Sequence, residues 1–290
     1  MNYQKIALGA GLTFVGVPIG TARDVTLRAL DVLASADVLV AEDTRSLRRL
    51  MDIHGIPLDG RRVTSLHDHS GHLPIAKVID QIAGGAAVAY ASEAGMPLIA
   101  DPGFELGRAV SQAGHPVTCA PGPSAVTTAL TLAGLPTDAF HFAGFLPSSA
   151  AARRSAFEAL RGIPATLVFF ESPKRLAASL SDAAEILGPD RTASVCRELT
   201  KKFEDCRKAD LGTLRDMYRD ATVKGEIVVL IDRIRSEKIT ETDLEGSLKR
   251  AMATLSTRDA VDLVARAHEV PRRQVYQIAL SMTERPEDES

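Results

Sequence analysis

Cysteine is scarce in this chain. Its 290 residues include three, Cys119, Cys196 and Cys206, and no two of them show a C-x-x-C spacing. An odd number of cysteines without this spacing argues against a disulfide framework and against a zinc site. We therefore expect all three side chains to be small buried apolar groups rather than bonded or metal-ligating thiols.

Long apolar runs are missing as well. No stretch of eighteen consecutive apolar residues occurs, and positions 1–10 lack the basic, apolar and small-residue order of a signal peptide. The sequence therefore predicts a cytoplasmic protein without a membrane span. With 45% hydrophobic and 24% charged residues the composition is that of a globular protein, and 290 residues allow two domains and a small appendage.

Familiar motifs of nucleotide and hydrolase chemistry are absent too. The chain has no G-x-x-x-x-G-K-[ST] loop, no G-x-G-x-x-G turn, no H-E-x-x-H helix and no G-x-S-x-G elbow. The polar residues His67, Asp68, His69 and His72 could be read as a metal cluster. In an exposed loop without a fourth fixed ligand, contact with solvent or substrate is favoured, and we predict no metal site.

The chain also lacks an excess of positive charge. A formal net charge of −3 does not indicate a nucleic-acid-binding chain as a whole. Basic residues nevertheless occur in adjacent pairs, and each pair alone is more typical of a solvated face than of a phosphate site. Among these pairs are Arg48-Arg49, Arg61-Arg62, Arg153-Arg154, Lys174-Arg175, Lys201-Lys202, Arg207-Lys208 and Arg272-Arg273.

What the chain does have is three loops rich in glycine and proline. The apolar runs 86–91 and 117–120 predict buried parallel strands, and the loops 92–103 and 121–125 follow them directly. A third loop spans 16–20. Glycine lets the backbone turn sharply and approach a small molecule, and ligands of doubly wound sheets bind beyond the carboxyl ends of strands. One such loop is typical of an ordinary turn, but three predict a ligand site.

Alternating strands and helices of moderate length predict an α/β fold. We expect an N-terminal domain, residues 1–122, with a mainly parallel sheet, and a C-terminal α+β domain, residues 123–235, with a mixed sheet. A small helical appendage follows at 236–290. Within it, the segments 257–267 and 272–280 predict two short helices joined by a tight turn, either a helix-turn-helix or a plain helical hairpin.

A cleft with such loops and without a dedicated chemical group suits a reaction whose reactivity is carried by the cofactor. Methyl transfer from S-adenosylmethionine is one example. The sulfonium of that molecule is already electrophilic, so the protein mainly has to align the acceptor with it.

Four motifs together resemble one known family. They are Ala41-Glu42-Asp43-Thr44-Arg45, Ser65-Leu66-His67-Asp68-His69, the loop from Ser92 to Gly103, and Pro121-Gly122-Pro123-Ser124-Ala125. The chain resembles the tetrapyrrole methylase superfamily over nearly its whole length, and within it the bacterial branch that methylates cytidine 2′-hydroxyls of 16S ribosomal RNA. Glu93 and Met96 depart from that family's pattern, which has Asp and Thr, so Met96 offers no hydroxyl to the cofactor.

The resemblance implies a two-domain tetrapyrrole-methylase-like fold, S-adenosylmethionine as cofactor and a symmetric homodimer. It also implies a decoding-centre cytidine in 16S rRNA of the small ribosomal subunit as the acceptor. The cofactor would lie between the two domains. The implied contacts are Pro18, Ser92, Ala94, Gly95, Met96, Pro97, Ser124, Ala125, Phe145 and Leu146 at its methionine end, and Phe170, Leu199 and Gly225 around its adenine.

A ribose 2′-hydroxyl is a weak acid, so a group that orients it and accepts its proton is expected. The candidates are Glu171, Glu198 and Asp43, with Glu42 and His67 also polar and at the ends of strands or in loops. Glu171 and Glu198 could instead be ion-paired, and positioning alone could suffice. Candidate RNA contacts are Arg45, His67, Lys174, Arg175, Lys201, Lys202, Arg272 and Arg273.

Two other functions stay open at this point. A porphyrinoid C-methyltransferase, acting on a uroporphyrinogen or precorrin, would use the same fold, although the helical appendage and the loop at 43–45 favour an RNA substrate. A non-enzymatic cofactor-binding scaffold or nucleic-acid-binding regulator would explain the altered loop at Met96. The acceptor separates the RNA methyltransferase from the porphyrinoid methyltransferase, and cofactor titration separates the non-enzymatic alternative from both.

Overall fold

The computed structural model describes residues 2–66, 72–234, 241–267 and 270–284. The chain divides into two compact units, Met1–Ile234 and Arg235–Ser290. Among the described helices, none is long and apolar enough to cross a membrane. Both sheets belong to the first unit, so a division at 122 within it stays a prediction.

The first sheet is parallel throughout and contains five strands in the order β3-β2-β4-β1-β5. Its strands are β1 Gly11–Val15, β2 Val38–Ala41, β3 Val63–Ser65, β4 Ala87–Ala91 and β5 Val117–Ala120. The helices that connect them are α1 Leu27–Ser35, α2 Thr44–Ile53, α3 His72–Ala83 and α4 Phe104–Gln112. All five residues of β4 are buried, as expected for a central strand covered on both faces. This confirms the predicted α/β class.

The second sheet is mixed, as predicted, with the order β6-β7-β10-β8-β9. Only β6 and β7 run parallel within it. Its strands are β6 Phe140–Phe145, β7 Thr166–Glu171, β8 Thr192–Arg197, β9 Asp205–Asp210 and β10 Ile227–Ile231, and the nearby helices are α5 Ala125–Ala133, α6 Ala150–Leu160, α7 Leu176–Leu187 and α8 Leu211–Tyr218.

Helix α5 follows the last strand of the first sheet and packs on the second sheet. Its apolar residues Val126, Ala129 and Leu130 share one buried cluster with Val168 of β7 and Val228 of β10. Burial of such side chains contributes on the order of 1.5–3 kcal/mol each. The helix therefore anchors the loop at its own N-terminus, which follows β5, to the second sheet.

The expectation of three unbonded cysteines is wrong for two of them. Cys196 and Cys206 are register partners on the antiparallel strands β8 and β9, and they are joined as a disulfide. Their spacing along the chain does not reveal this, because it is the strand register that brings the two side chains opposite one another. Cys119 is a free, partly buried thiol.

The second unit contains α9 Glu241–Met252, α10 Thr257–Ala267 and α11 Arg272–Glu284. Its core is made of apolar residues recurring at helical spacing, among them Leu244, Leu248, Val261, Val264 and Val275. The two predicted helices are present, and α9 packs with them as a third.

Candidate functional site

The three glycine-proline loops meet at one edge of the first sheet. Strand β1 lies between β4 and β5, so the loops that follow these strands are neighbours. Val17 and Gly95 exchange two backbone hydrogen bonds of 2.9 and 3.1 Å. A Cβ at Gly16 would lie 2.6 Å from the Gly122 nitrogen, so only glycine permits this approach. The loops form one packed structure.

Met96 occupies the position at which the resemblance expects a threonine. Its Sδ accepts a hydrogen bond of 3.2 Å from the Gly122 N–H. The thioether therefore joins the loop after β4 to the loop after β5. Where a threonine would present a hydroxyl to a ligand, Met96 instead stabilises the packing of the two loops.

A cavity of about 360 Å³ lies next to these loops, between the two sheets of the first unit. This volume is within the usual range for small-molecule sites. Both halves of the unit contribute to its wall, which is formed by Ile19, Ala94, Gly95, Met96, Ile99, Ala100, Asp101, Ser124, Ala125, Phe145, Phe170, Glu171, Ser172, Pro173, Leu199, Gly225, Glu226, Ile227 and Val228.

Most of the residues that the resemblance implies as cofactor contacts line this cavity. They are Ala94, Gly95, Met96, Ser124, Ala125, Phe145, Phe170, Leu199 and Gly225. The wall does not include Pro18, Ser92, Pro97 or Leu146. The side chain of Ser92 is buried, and so is that of Leu146, which packs in the core beneath the second sheet. Sequence reasoning missed Ile227 and Val228 of strand β10, because an apolar strand carries no sequence signal for ligand contact.

The N-terminus of helix α5 points to an anionic ligand group. Ser124 occupies the N-cap position, yet its hydroxyl does not cap the helix, and the residue lines the cavity. Free N–H groups and the positive end of the helix dipole favour a carboxylate or phosphate at such a position. Ala94, Gly95 and Met96 of the loop after β4 also contribute to the wall.

The candidate proton acceptor Glu171 has a structural environment. It is buried at the end of β7 and accepts hydrogen bonds from the Ser172 N–H at 2.7 Å and the Ser179 hydroxyl at 2.5 Å. The Arg175 guanidinium lies 2.8 Å from it. These three partners use the hydrogen-bonding capacity of the carboxylate and link β7 to α7. Glu171 nevertheless contributes to the cavity wall.

Glu198 is also held by neighbours. The Lys201 ammonium lies 2.9 Å from its Oε1, which accepts a further bond of 3.0 Å from the Glu226 N–H. The hydrogen bond from Lys201 is the main cause that lowers the pKa of Glu198. A carboxylate that is easier to ionise is a weaker base. The arrangement joins the loops at the ends of β8 and β10.

Asp43 is the N-cap of helix α2. Its Oδ1 accepts a bond of 2.7 Å from the Arg45 N–H, and its Oδ2 lies 3.1 Å from the Arg45 guanidinium. The side-chain hydrogen bond from Arg45 lowers the pKa of Asp43. Helix capping accounts for this residue without a catalytic role.

The predicted RNA contacts differ in their surroundings. Arg45 is exposed but paired with Asp43, whereas Arg175 and Lys201 belong to the ion pairs just described. Lys174 and Lys202 are exposed, and the Lys202 ammonium lies 5.5 Å from the centre of the exposed Phe203 ring. In the second unit Arg272 contacts Asp262 and Arg273 is exposed. His67 lies outside the described residues.

Comparison with known proteins identifies the family. A family model described as tetrapyrrole (corrin/porphyrin) methylases matches residues 11–215, and a model described as the RsmI C-terminal HTH domain matches residues 239–283.

The chain belongs to the tetrapyrrole methylase family.

Several curated relatives of this methylase share the name ribosomal RNA small subunit methyltransferase I. The protein of that name from Mesorhizobium japonicum is 43% identical, with 95% of this chain and 93% of the relative covered. The Mycobacterium tuberculosis H37Rv protein is 41% identical, covering 97% and 96%. The Escherichia coli O157:H7 protein is 38% identical, covering 93% and 94%.

Solved structures show the same fold at lower sequence identity. A diphthine synthase superposes with a TM-score of 0.60 at 18% identity, covering 76% of this methylase and 89% of the other chain. The methyltransferase CobJ gives 0.59 at 19% identity, covering 80% and 97%. These likenesses establish the two-sheet architecture predicted from the resemblance.

Proposed function

We propose that this methylase transfers a methyl group from S-adenosylmethionine to the ribose 2′-hydroxyl of a decoding-centre cytidine in 16S rRNA of the small ribosomal subunit. The observation that supports it most is the cavity, to which residues of both sheets contribute and around which the glycine-proline loops converge. The shared name of the relatives supports an rRNA acceptor for this chain.

The residues of the cavity fit S-adenosylmethionine. At one end, Ser124 and the N-terminus of α5 suit the carboxylate of the methionine portion. At the other, Phe170, Leu199 and Val228 offer apolar surface to an adenine. The cofactor would supply an electrophilic methyl group, so this methylase itself has to bind it, exclude water and orient the acceptor.

Exposed aromatic and basic side chains near the cavity suit a single-stranded nucleotide. Phe145 is 58% exposed, lines the cavity and contacts the Phe170 ring at 5.5 Å between centroids. An aromatic face of this kind can stack on an unpaired base. Lys174 directly follows the cavity residue Pro173, and we assign it to the phosphates of the same strand.

The remaining basic candidates are proposed as weaker contacts. Lys202, Arg45 and the second-unit residues Arg272 and Arg273 are exposed enough to meet phosphates, whereas Arg175 and Lys201 act mainly through the ion pairs that shape the cavity. A homodimer in the cytoplasm remains our expectation from the resemblance. Light scattering at micromolar concentration would test it, with twice the mass of 31.0 kDa as the predicted result.

Transfer of a labelled methyl group tests the proposal. The protein is incubated with S-[methyl-³H]adenosylmethionine and with small subunits, naked 16S rRNA or uroporphyrinogen III, and RNA products are digested to nucleosides. We expect label in 2′-O-methylcytidine from small subunits. Label on the porphyrinoid would favour a C-methyltransferase instead, and cofactor binding without transfer would favour a non-enzymatic scaffold.

A further inference from the structure

Asp101 is a carboxyl group in the cavity wall that sequence patterns did not single out as a proton acceptor. It belongs to the loop that follows β4, and it is partly buried. Glu42, at the end of β2, and Ser92 and Glu93, at the end of β4, are close enough to act on the ionisation of its carboxyl group. Glu42 is itself positioned by accepting a bond of 3.0 Å from the Glu93 N–H.

The backbone around Asp101 is strained. Leu98 and Ala100 have φ angles of +74° and +62°, a left-handed conformation that residues with a Cβ rarely adopt. The buried Tyr90 holds the far side of the loop, because its hydroxyl donates to the Pro102 carbonyl oxygen at 3.1 Å. Strain of this kind persists where the surrounding structure fixes it, and it concentrates at functional sites. The fold thus holds Asp101 in the cavity wall at a cost in stability.

The charged groups around Asp101 are opposite in sign to those around the other candidate proton acceptors. Cationic side chains bond to Glu171, Glu198 and Asp43. The groups that act on Asp101 are instead two carboxylates and a hydroxyl. Burial, with the negative charge of Glu42 next in importance, raises the pKa of Asp101 to about 6. A group with this pKa is mostly ionised at neutral pH and accepts a proton more readily than an ordinary aspartate.

We propose that Asp101 is the catalytic residue that accepts the proton of the acceptor hydroxyl, an inference that rests on the proposed function. As the hydroxyl oxygen forms its bond to the methyl carbon, its proton passes to an Asp101 carboxylate oxygen. The bond between methyl carbon and sulfur breaks, and its electron pair stays on sulfur. Asp101 then releases the proton to water, which restores the carboxylate.

The variant Asp101→Asn tests this role because it keeps the shape and removes the base. We expect kcat to fall by about 10²- to 10⁴-fold, the usual contribution of a general base. Calorimetric titration with S-adenosylhomocysteine should give a Kd within about threefold of the wild-type value. The control Glu105→Gln removes an exposed carboxylate that pairs with Arg108 on α4, and it should leave both quantities unchanged.

The pH dependence gives a second readout. Wild-type kcat should rise with pH through about 6, because the active form is the ionised carboxylate, and this limb should be lost in Asp101→Asn. In Glu42→Gln one negative neighbour is removed, so the pKa of Asp101 falls and the limb moves to lower pH. Carbon-13 NMR of aspartate-labelled protein, without cofactor, should show one carboxyl that titrates near pH 6 and is missing in Asp101→Asn.

The results of these experiments distinguish a failure of the proposed function from a failure of the proposed role of Asp101. If wild-type protein forms no 2′-O-methylcytidine, the proposed function fails whatever Asp101 does. If it forms that product and Asp101→Asn retains kcat within about threefold, or retains the limb near pH 6, the role of Asp101 is overturned alone. A variant that loses cofactor affinity with an unchanged kcat would likewise overturn it, because the residue would then act in binding.

Discussion

At the scale of single residues, the contact between Gly16 and Gly122 decides whether the loops can meet. The two backbones approach so closely that a methyl group on either would overlap the other. The sequence predicted a loop here, but it could not predict this contact, because 106 positions separate the two glycines along the chain. The requirement for glycine comes from packing, since neither residue has a positive φ angle.

Gly16→Ala should therefore destabilise the protein. Inserting a methyl group into packed structure costs about 1–3 kcal/mol, and the loops would also separate and weaken cofactor binding. Gly162→Ala is the matched control, because a Cβ at that position would have open space around it. Urea unfolding followed by circular dichroism measures the difference. Equal free energies of unfolding for the two variants would contradict the packing argument.

At the scale of elements, an ion-pair network joins the ends of β8 and β10. Glu198 accepts hydrogen bonds from Lys201 and from the Glu226 backbone, and Lys201 also lies 2.7 Å from the Glu226 carboxylate. Sequence reasoning identified Glu198 as a candidate proton acceptor and Lys201 as a candidate RNA contact. It could not show that the two side chains pair with each other, because the strand order that brings residue 226 beside them cannot be read from the local sequence.

Glu198→Gln should reduce the dependence of stability on pH. The pKa of Glu198 is lowered in the folded state, so its contribution is present above its unfolded pKa of about 4.3 and is lost as the pH falls below that value. The drop in unfolding free energy between about pH 7 and about pH 3.5 should be smaller in the variant than in wild type. Glu158→Gln, which removes an exposed carboxylate, should behave like wild type. An unchanged drop in Glu198→Gln would show that the pair does not stabilise the fold.

At the scale of the whole molecule, the alternation of strands and helices was sufficient to predict the fold class. The apolar runs of β4 and β10 are short and continuous, and such runs indicate buried strands whatever their neighbours. The glycine-proline loops then follow at the carboxyl ends of the first-sheet strands. The cavity was less predictable, because its other wall comes from β10 and from the loop after β8, which carry ordinary apolar or charged residues.

The second unit offers a prediction that belongs to the molecule as a whole. Arg273→Ala removes an exposed cation from α11, so affinity for small subunits should fall by about 3- to 10-fold and depend less steeply on salt. Arg108→Ala on α4 is the control, since that side chain pairs with Glu105. Filter binding at two salt concentrations measures both. Identical salt dependence for Arg273→Ala and wild type would show that Arg273 does not contact the RNA.

Calorimetric titration with S-adenosylmethionine tests most directly whether the cavity between the two sheets binds the methyl donor. The variant Ala125→Phe places a large ring in the cavity wall at the start of α5, while Leu132→Phe changes an exposed position of the same helix. We predict saturable binding to wild type and Leu132→Phe, with affinity at least about tenfold weaker in Ala125→Phe. Equal affinity in all three proteins, or no saturable binding to wild type, would contradict binding in this cavity.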